Sequence, residues 1–316
     1  MRQIELPNTG KRTSQLGFGC AYLTPDMRRL LDVAHDAGIR HFDVGRSYNR
    51  GQAEAVVGRF LAGRGDGITV TSKYGILPDV ASLPLSAARK VLGPLVRRLR
   101  QSGALARPNS AGASVPMRRA AFTATDAKAS LETSLRLLRR DRLDLFLMHE
   151  ATPDELQDPG LLAFLEGAVA RGVIGAFGVG GPAERKAALI AEAPGFCRVL
   201  QFDWALLDPP APAAPFQVRY RVFSRANARV RAALDDPARL RAWSEATGND
   251  LARPGEAQRL LLKAALETQG GDLILVSSTN PAHILANVET AEDDRLAAPA
   301  LALAKHVQAQ AADQGA

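Results

Sequence analysis

The chain has 316 residues and an apolar fraction of 46%, which is enough to bury a sizeable core and too much for a disordered protein. Its two cysteines, Cys20 and Cys197, provide neither a disulfide framework nor the spacing of metal ligands, so we expect no metal site. The net charge of +7 falls between residues 74 and 122, where few aromatic side chains accompany the arginines, and this distribution does not favour nucleic-acid binding.

The N-terminal residues lack the apolar core of a signal peptide, and no stretch is long and apolar enough to span a membrane. We therefore expect a soluble, cytoplasmic protein that has no membrane partner. The sequence indicates no particular oligomeric state.

Strands and helices alternate along most of the chain. Residues 4–16 predict a β-hairpin with a four-residue turn, which we expect to plug the closed end of the fold. The eight strands predicted after this turn are residues 15–20, 40–44, 68–73, 143–148, 173–179, 199–203, 217–224 and 273–278. This alternation, at this length, predicts a (β/α)8 TIM barrel formed by residues 1–316 as a single domain.

Helices are predicted after most of these strands. Their ranges are residues 24–37, 52–61, 126–139, 158–171, 182–193, 232–246, 256–268, 281–290 and 294–310. The proline-rich residues 208–215 cannot form a regular helix. We therefore expect an irregular segment in place of the sixth helix.

The insertion of residues 74–123 after the third strand is too long for a plain loop. Within it, residues 85–100 have apolar side chains at helical spacing, and residues 103–114 are rich in Gly, Ala, Ser and Pro. Because the insertion leaves from the barrel mouth, its arginines could form a lid that attracts an anionic ligand. A solvated amphipathic helix without a special role is an equal alternative, and a membrane-surface role is a third.

Four side chains of complementary chemistry follow the ends of three successive predicted strands. Asp43 ends the second strand and Tyr48 follows five residues later, Lys73 ends the third strand, and His149 ends the fourth. Each residue alone has an ordinary explanation, as a turn cap, a packing residue, an exposed strand end or a hydrogen-bonded histidine. Because the carboxyl ends of barrel strands converge on one mouth, we expect the four to form one site.

These four side chains suit proton transfer to a carbonyl oxygen. A phenol is a weak acid with an ordinary pKa of about 10, and a neighbouring lysine cation lowers that pKa. Asp43 can hold Lys73 charged and in place, and His149 can orient the carbonyl or relay a proton. Protein side chains cannot supply a hydride, so the missing component is a cofactor.

Residues 38–48 read Gly-x-Arg-x-Phe-Asp-x-x-x-x-Tyr, and Gly51, Glu54 and Gly58 continue the pattern. With Lys73 and His149, this pattern resembles the first signature and the Asp-Tyr-Lys-His tetrad of the aldo-keto reductase family, and the likeness extends over nearly the whole chain. The spacing from Tyr48 to Glu54 is more similar to the sugar-dehydrogenase branch than to the aldose reductases.

The resemblance implies an NAD(P)(H)-dependent oxidoreductase that interconverts a carbonyl compound (aldehyde, ketone or sugar) and an alcohol. In it, Tyr48 would be the general acid/base, Lys73 and Asp43 would tune it, and His149 would orient the substrate. Two alternatives remain open. One is an aldose 1-dehydrogenase that uses NAD in the oxidative direction, and the other is a non-catalytic, cofactor-sensing barrel.

The resemblance also implies a cofactor site. Gln201 would bind the nicotinamide carboxamide, Phe223 would stack on the nicotinamide ring, and Ser224 would contact the pyrophosphate. The other residues at implied cofactor positions are Gly180, Arg225, Ser277, Ser278, Thr279, His283 and Asn287.

Several of these positions depart from the family pattern. The Ser-Asn pair after the fifth strand is replaced by Gly180 and Gly181, and the lysine and arginine near the 2′-phosphate are replaced by Ser277 and His283. Because a phosphate is recognised mainly by charge, these losses weaken the preference for NADPH, for which Arg225 is a candidate compensation. We expect NADP(H) only narrowly ahead of NAD(H).

Overall fold

The computed structural model describes residues 1–78, 117–204, 206, 216–222, 224–269 and 271–315. Eight parallel strands close into a barrel. These are β3 (Leu16–Gly19), β4 (His41–Asp43), β5 (Thr69–Tyr74), β8 (Leu143–His149), β9 (Ile174–Gly181), β10 (Leu200–Asp203), β11 (Gln217–Tyr220) and β12 (Leu273–Val276). Around the barrel they follow the order β10-β11-β12-β3-β4-β5-β8-β9. The predicted TIM barrel and its eight strands are confirmed.

The N-terminal hairpin closes the amino end of the barrel. Its strands β1 (Gln3–Glu5) and β2 (Arg12–Ser14) pair antiparallel. Ile4 and Leu6 pack with inward-facing barrel side chains, including Leu145. The hairpin therefore seals the apolar interior from below, as predicted.

Ten α-helices surround the barrel in the described part of the chain. They are α1 (Arg28–Asp36), α2 (Ala53–Leu61), α3 (Ala124–Leu138), α4 (Pro159–Ala170), α5 (Lys186–Glu192), α6 (Ser224–Leu234), α7 (Pro237–Thr247), α8 (Glu256–Thr268), α9 (Pro281–Glu292) and α10 (Ala297–Gly315). No described helix is long and apolar enough to cross a membrane.

Two predicted boundaries around the seventh strand are wrong. The strand ends at Tyr220 rather than at residue 224 because Arg221 adopts a left-handed backbone, with φ of 56°, which breaks the extended path. The helix predicted at residues 232–246 is two helices, because the Asp236 side chain accepts the Ala238 N–H at 2.9 Å and Pro237 begins a new helix behind that cap.

Gly58, the last glycine of the signature, sets the spacing between α2 and α3. A Cβ at this position would lie 2.0 Å from the carbonyl oxygen of Leu137. Any side chain there would force the two helices apart, so this glycine is required by packing.

The insertion begins and ends in a two-stranded ribbon that the sequence did not predict. Strand β6 (Ile76–Pro78) pairs antiparallel with β7 (Met117–Arg119). Residues 79–116 lie outside the described residues, and with them the predicted helix of residues 85–100 and the segment of residues 103–114. The irregular segment predicted at residues 208–215 also lies outside the described residues.

Candidate active site

A cavity of about 630 Å³ opens at the carboxyl ends of the barrel strands. Asp43, Tyr48, Lys73 and His149 all line it. The structure therefore brings the four predicted residues together, since each follows or ends a strand whose carboxyl end faces this mouth.

Lys73 and Asp43 form a buried ion pair at the base of the cavity. The lysine Nζ lies 2.5 Å from Asp43 Oδ1 and also donates to the Val44 carbonyl at 3.1 Å. Burial alone would lower the pKa of Lys73, but the Asp43 charge, together with Tyr48, outweighs burial and raises it above its ordinary value. The lysine is therefore charged at every working pH.

Tyr48 lies next to the Lys73–Asp43 ion pair. Its ring centroid lies 4.7 Å from Lys73 Nζ and 6.0 Å from the ring of His149, nearly edge-on. Burial raises the pKa of Tyr48 more than the Lys73 charge lowers it, so the net direction is upward. Lys73 thus lowers the pKa of Tyr48, as predicted, but the effect of burial is larger. The phenol is therefore protonated at neutral pH.

Glu54, inside α2, holds the loop that carries Tyr48. Its carboxylate is fully buried and accepts hydrogen bonds from Arg46 Nη1 and Ser72 Oγ, each at 2.7 Å. Ser72 is next to Lys73 on β5, so the glutamate ties the Tyr48 loop to the lysine strand. Sequence reasoning missed Arg46 and Ser72, although the glutamate in the signature was a signal for both.

His149 ends β8, and a strained residue follows it. Glu150 has φ of 58°, and its carbonyl accepts Arg119 Nη2 at 3.1 Å and Arg185 Nη1 at 2.5 Å. Arg119 also binds the Glu155 carboxylate, which attaches β7 to the same loop. Burial, with the charges of Lys73 and Arg119, lowers the pKa of His149 to about 3, so its imidazole is neutral.

The predicted carboxamide residue Gln201 lies at the base of the cavity, on β10. Its Nε2 donates to Asp43 Oδ2 at 2.9 Å. Gly180 lies opposite it on β9, where a Cβ would be 3.3 Å from the Gln201 Cβ, and a Cβ at Gly181 would be 3.3 Å from the Glu150 Cα. Serine and asparagine at positions 180 and 181 would crowd these neighbours, which the two glycines avoid.

Tyr220 is an aromatic cavity residue that sequence reasoning missed. It ends β11, lines the cavity, and donates its hydroxyl to the Gly181 carbonyl at 2.9 Å. The signal that could have found it is its place at a strand end, as for Asp43. Phe223, predicted to stack on the nicotinamide, lies outside the described residues, as do the side chains of Ser224 and Arg225; Ser224 begins α6 instead of ending a strand.

The remaining predicted cofactor residues lie around β12 and α9. Ser277 lines the cavity and donates to the Gly19 carbonyl at 2.9 Å, while Ser278 and Thr279 line a small adjoining crevice. His283 is exposed and Asn287 is half-buried, one turn apart on α9. The structure thus separates the α9 pair from the cavity that holds Ser277.

One side of the cavity is acidic. Glu150, Glu184 and Asp203 line it, and Asp203 Oδ1 accepts the Ala183 N–H at 2.8 Å. Carboxylates accept hydrogen bonds, so these side chains suit ligand groups that donate. Arg221 lines the same cavity and adds a cation to it.

The family model described as Aldo/keto reductase family matches residues 15–236, more than half of the chain. No curated protein matches the chain significantly in sequence.

Solved structures with a similar fold cover nearly the whole chain. The aldo-keto reductase AKR11C1 from Bacillus halodurans, in its holo form, has a TM-score of 0.62 at 19% identity, with 96% of each chain covered. The glycerol dehydrogenase AKR11B4 from Gluconobacter oxydans has a TM-score of 0.62 at 18% identity, with 97% of this chain and 96% of that chain covered. A variant of Gox0644 in complex with NADPH has a TM-score of 0.62 at 18% identity, over 96% of this chain and 94% of that chain.

Proposed function

Since this chain belongs to the aldo/keto reductase family, we propose that it is an NAD(P)H-dependent oxidoreductase that interconverts a carbonyl compound and an alcohol. The observation that carries the proposal is the buried Lys73–Asp43 ion pair beside the phenol of Tyr48, in a cavity that His149 also lines. The protonated phenol of Tyr48, the fixed cation of Lys73 and the neutral imidazole of His149 thus lie together in one cavity.

Tyr48 is the general acid/base of this mechanism. Its hydroxyl gives a proton to the carbonyl oxygen during reduction and takes it back during oxidation. Lys73 stabilises the phenolate that is left, and Asp43 keeps the lysine in place. His149 donates an N–H to the carbonyl oxygen and so orients it towards Tyr48. The nicotinamide cofactor supplies the hydride when bound.

The same cavity fits a nicotinamide cofactor. The buried Oε1 of Gln201 has no partner among the described residues and can accept a carboxamide N–H, while Tyr220 offers a ring for stacking. A structure with a similar fold is a complex with NADPH. We favour NADP(H) over NAD(H), and the preference is only narrow because neither Ser277 nor His283 supplies a permanent cation for the 2′-phosphate.

The protonation state of Tyr48 controls the rate of each direction at a given pH. Reduction needs the protonated phenol and oxidation needs the phenolate. Because the folded protein raises the pKa of Tyr48 above its ordinary value, the form that reduction needs predominates at neutral pH. Oxidation, including that of an aldose, should gain rate as the pH rises towards that pKa.

The acidic side of the cavity favours neutral substrates that carry hydroxyl groups. Hydroxyl groups can donate to Glu150 and Glu184, whereas a phosphate or carboxylate on the substrate would meet like charge. Glyceraldehyde should therefore be reduced with a higher kcat/KM than glyceraldehyde 3-phosphate. A higher kcat/KM for glyceraldehyde 3-phosphate would contradict the proposed substrate class. It would leave the proposed reaction unaffected.

Titration of the protein with NADPH and NADH tests the cofactor site. Trp204 is buried next to the cavity residue Asp203, so its fluorescence should report binding, and Trp204→Phe identifies its share of the signal relative to Trp243. Tyr48→Phe should bind NADPH as wild type does and lose turnover about a hundredfold or more.

The two measurements distinguish a failure of cofactor binding from a wrong assignment of Tyr48. Binding of neither nucleotide would favour a non-catalytic barrel and overturn the proposed activity. Cofactor binding with full turnover in the Tyr48→Phe variant would instead leave the reaction class standing and remove Tyr48 as the acid.

A further inference from the structure

The ribbon of β6 and β7 continues directly from the strand that carries Lys73. Gly75 alone separates β5 from β6, and its carbonyl accepts the Ala120 N–H at 2.8 Å, where the chain leaves β7. A Cβ at Gly75 would lie 2.8 Å from the His149 carbonyl oxygen and 2.6 Å from the Phe122 ring. The base of the ribbon is therefore packed against the backbone of the catalytic histidine.

One strand of the ribbon covers the turn that follows Tyr48. Asn49, Arg50 and Gly51 all have left-handed backbones, with φ of 44°, 57° and 79°. This conformation is unfavourable for residues other than glycine, so the first two depend on their surroundings to keep it. A Cβ at Gly51 would lie only 2.7 Å from Pro78 Cγ. The Pro78 ring on β6 therefore packs directly on the turn.

The other strand of the ribbon holds the backbone that follows His149. Arg119 Nη2, on β7, donates to the Glu150 carbonyl at 3.1 Å. The same guanidinium binds the Glu155 carboxylate through contacts of 2.6, 2.8 and 3.1 Å, and this carboxylate also accepts the Thr152 N–H at 2.9 Å. Arg119 is thus held in one orientation and donates to the first carbonyl after the histidine.

The stability of the fold does not account for this arrangement of Arg119. Its side chain is 43% exposed and that of Glu155 is 33% exposed, and ion pairs at such exposed positions contribute little to the free energy of folding. The guanidinium instead restricts geometry, because it offers its donors in a rigid plane. It therefore fixes the Glu150 carbonyl relative to the ribbon.

We propose that the ribbon of β6 and β7 positions Tyr48 and His149 relative to each other, and that Pro78 and Arg119 are its positioning residues. The inference rests on the proposed function. Pro78 acts through the turn after Tyr48, and Arg119 acts through the backbone after His149. Neither of the two lines the cavity.

The reaction is sensitive to the distance between Tyr48 and His149. The carbonyl oxygen has to lie within hydrogen-bonding distance of both the Tyr48 hydroxyl and a His149 N–H, and the centroids of the two rings are 6.0 Å apart. A displacement of about 1 Å can lower a rate about a hundredfold. Because the ribbon contacts both loops, a shift of the ribbon changes the placement of the two catalytic side chains together.

A double-mutant cycle tests the route from Arg119 through His149. In wild type, Arg119→Gln should lower kcat/KM for glyceraldehyde with NADPH about tenfold, because the backbone of the histidine is no longer fixed. In the His149→Ala background the same substitution should cost less than about twofold, because the side chain that it positions is absent. A merely structural role would give equal losses in the two backgrounds.

Arg118→Gln is the matched control for this cycle. It removes the same charge from the neighbouring residue of β7, which is exposed, and its kcat/KM should stay within about twofold of wild type. Arg119→Lys keeps the charge but lacks the planar fork, so it should lose about threefold or more. If Arg119→Gln does not fold, Arg119→Lys takes its place in the cycle.

Pro78→Ala tests the route through Tyr48. It should lower kcat about threefold or more, and this loss should persist in the His149→Ala background because it acts through the other catalytic side chain. NADPH affinity, measured by tryptophan fluorescence, should stay within about twofold of wild type in Pro78→Ala and in Arg119→Gln. Both variants should unfold at nearly the same urea concentration as wild type.

Nuclear magnetic resonance measures the same geometry without turnover. The rings of Tyr48 and His149 are nearly edge-on, which brings their protons close enough for a nuclear Overhauser effect, and the chain has only four tyrosines and five histidines to assign. The effect between these two rings should be present in wild type and in Arg118→Gln. It should be weaker in Arg119→Gln and in Pro78→Ala.

The outcomes separate this inference from the proposed function. Equal losses from Arg119→Gln in the two backgrounds, wild-type kcat in Pro78→Ala, or an unchanged Overhauser effect in both variants would overturn the positioning role, while wild-type turnover upholds the activity. An Overhauser effect that weakens in both variants of a protein that does not bind NADPH would uphold the positioning of the two side chains and overturn the proposed function.

Discussion

Replacing Lys73 with methionine would leave the Asp43 carboxylate as an unpaired charge inside the barrel. At 2.5 Å, the attraction between the two charges is about 7 kcal/mol for an effective dielectric constant of about 20, and most of it offsets the cost of desolvating both groups. Removing one member of such a buried pair typically costs about 3–5 kcal/mol. We expect a loss of that size in the free energy of unfolding of Lys73→Met, and a similar loss in Asp43→Asn.

The double variant carries no charge at either position. It should be no less stable than either single variant, so the two losses should fall short of additivity by about 3 kcal/mol or more. Urea unfolding at pH 7, followed by circular dichroism, gives these values. Tyr48→Phe is the control in the same cavity, because it removes no charge, and should lie within about 1 kcal/mol of wild type. Additive losses, or single losses below about 1 kcal/mol, would refute the idea of a coupled buried pair.

Three further predictions concern activity. Loss of the cation in Lys73→Met should raise the pKa of Tyr48 further and move the alkaline limb of the oxidative rate to higher pH; an unshifted profile would remove the tuning role of Lys73. Because the pKa of His149 is about 3, the wild-type rate should show no inflection from this residue between about pH 5 and 8, and an inflection lost in His149→Asn would contradict this. Ser277→Lys combined with His283→Arg should increase the affinity for NADPH about tenfold and leave the affinity for NADH unchanged. Equal effects on the two nucleotides in a fluorescence titration would show that the 2′-phosphate binds elsewhere.

The meeting of the four tetrad side chains could be predicted from the sequence because a barrel imposes it. Asp43 and His149 end β4 and β8, and Lys73 lies one residue before the end of β5 between them. Parallel strand ends share one mouth, so a correct fold implies their proximity. The extent to which the site is buried could not be predicted. Whether burial or the lysine charge controls Tyr48 depends on how many atoms surround the phenol, and no local pattern reports that.

The wrong predictions of secondary structure have a different cause. Residues 217–224 alternate as a strand does, yet a left-handed Arg221 ends the strand early, and alternation does not reveal a single residue's φ. Asp236 and Pro237 did carry a helix-start signal, which the longer apolar pattern obscured. The ribbon of β6 and β7 pairs residues that are far apart in the chain, so neither short strand could be recognised from its neighbours.

The ribbon makes the insertion separable from the barrel. Pro78 pairs with Met117, and paired residues in an antiparallel ribbon lie about 4.5–5.5 Å apart, so the two residues that flank residues 79–116 are adjacent. A two-residue Asn-Gly turn can bridge such ends, and a short closed loop costs less entropy than a long one. The segment is thus a natural position for exchange, where loops from other barrels could be grafted, provided that the junction keeps Arg119 and its attachment to Glu155.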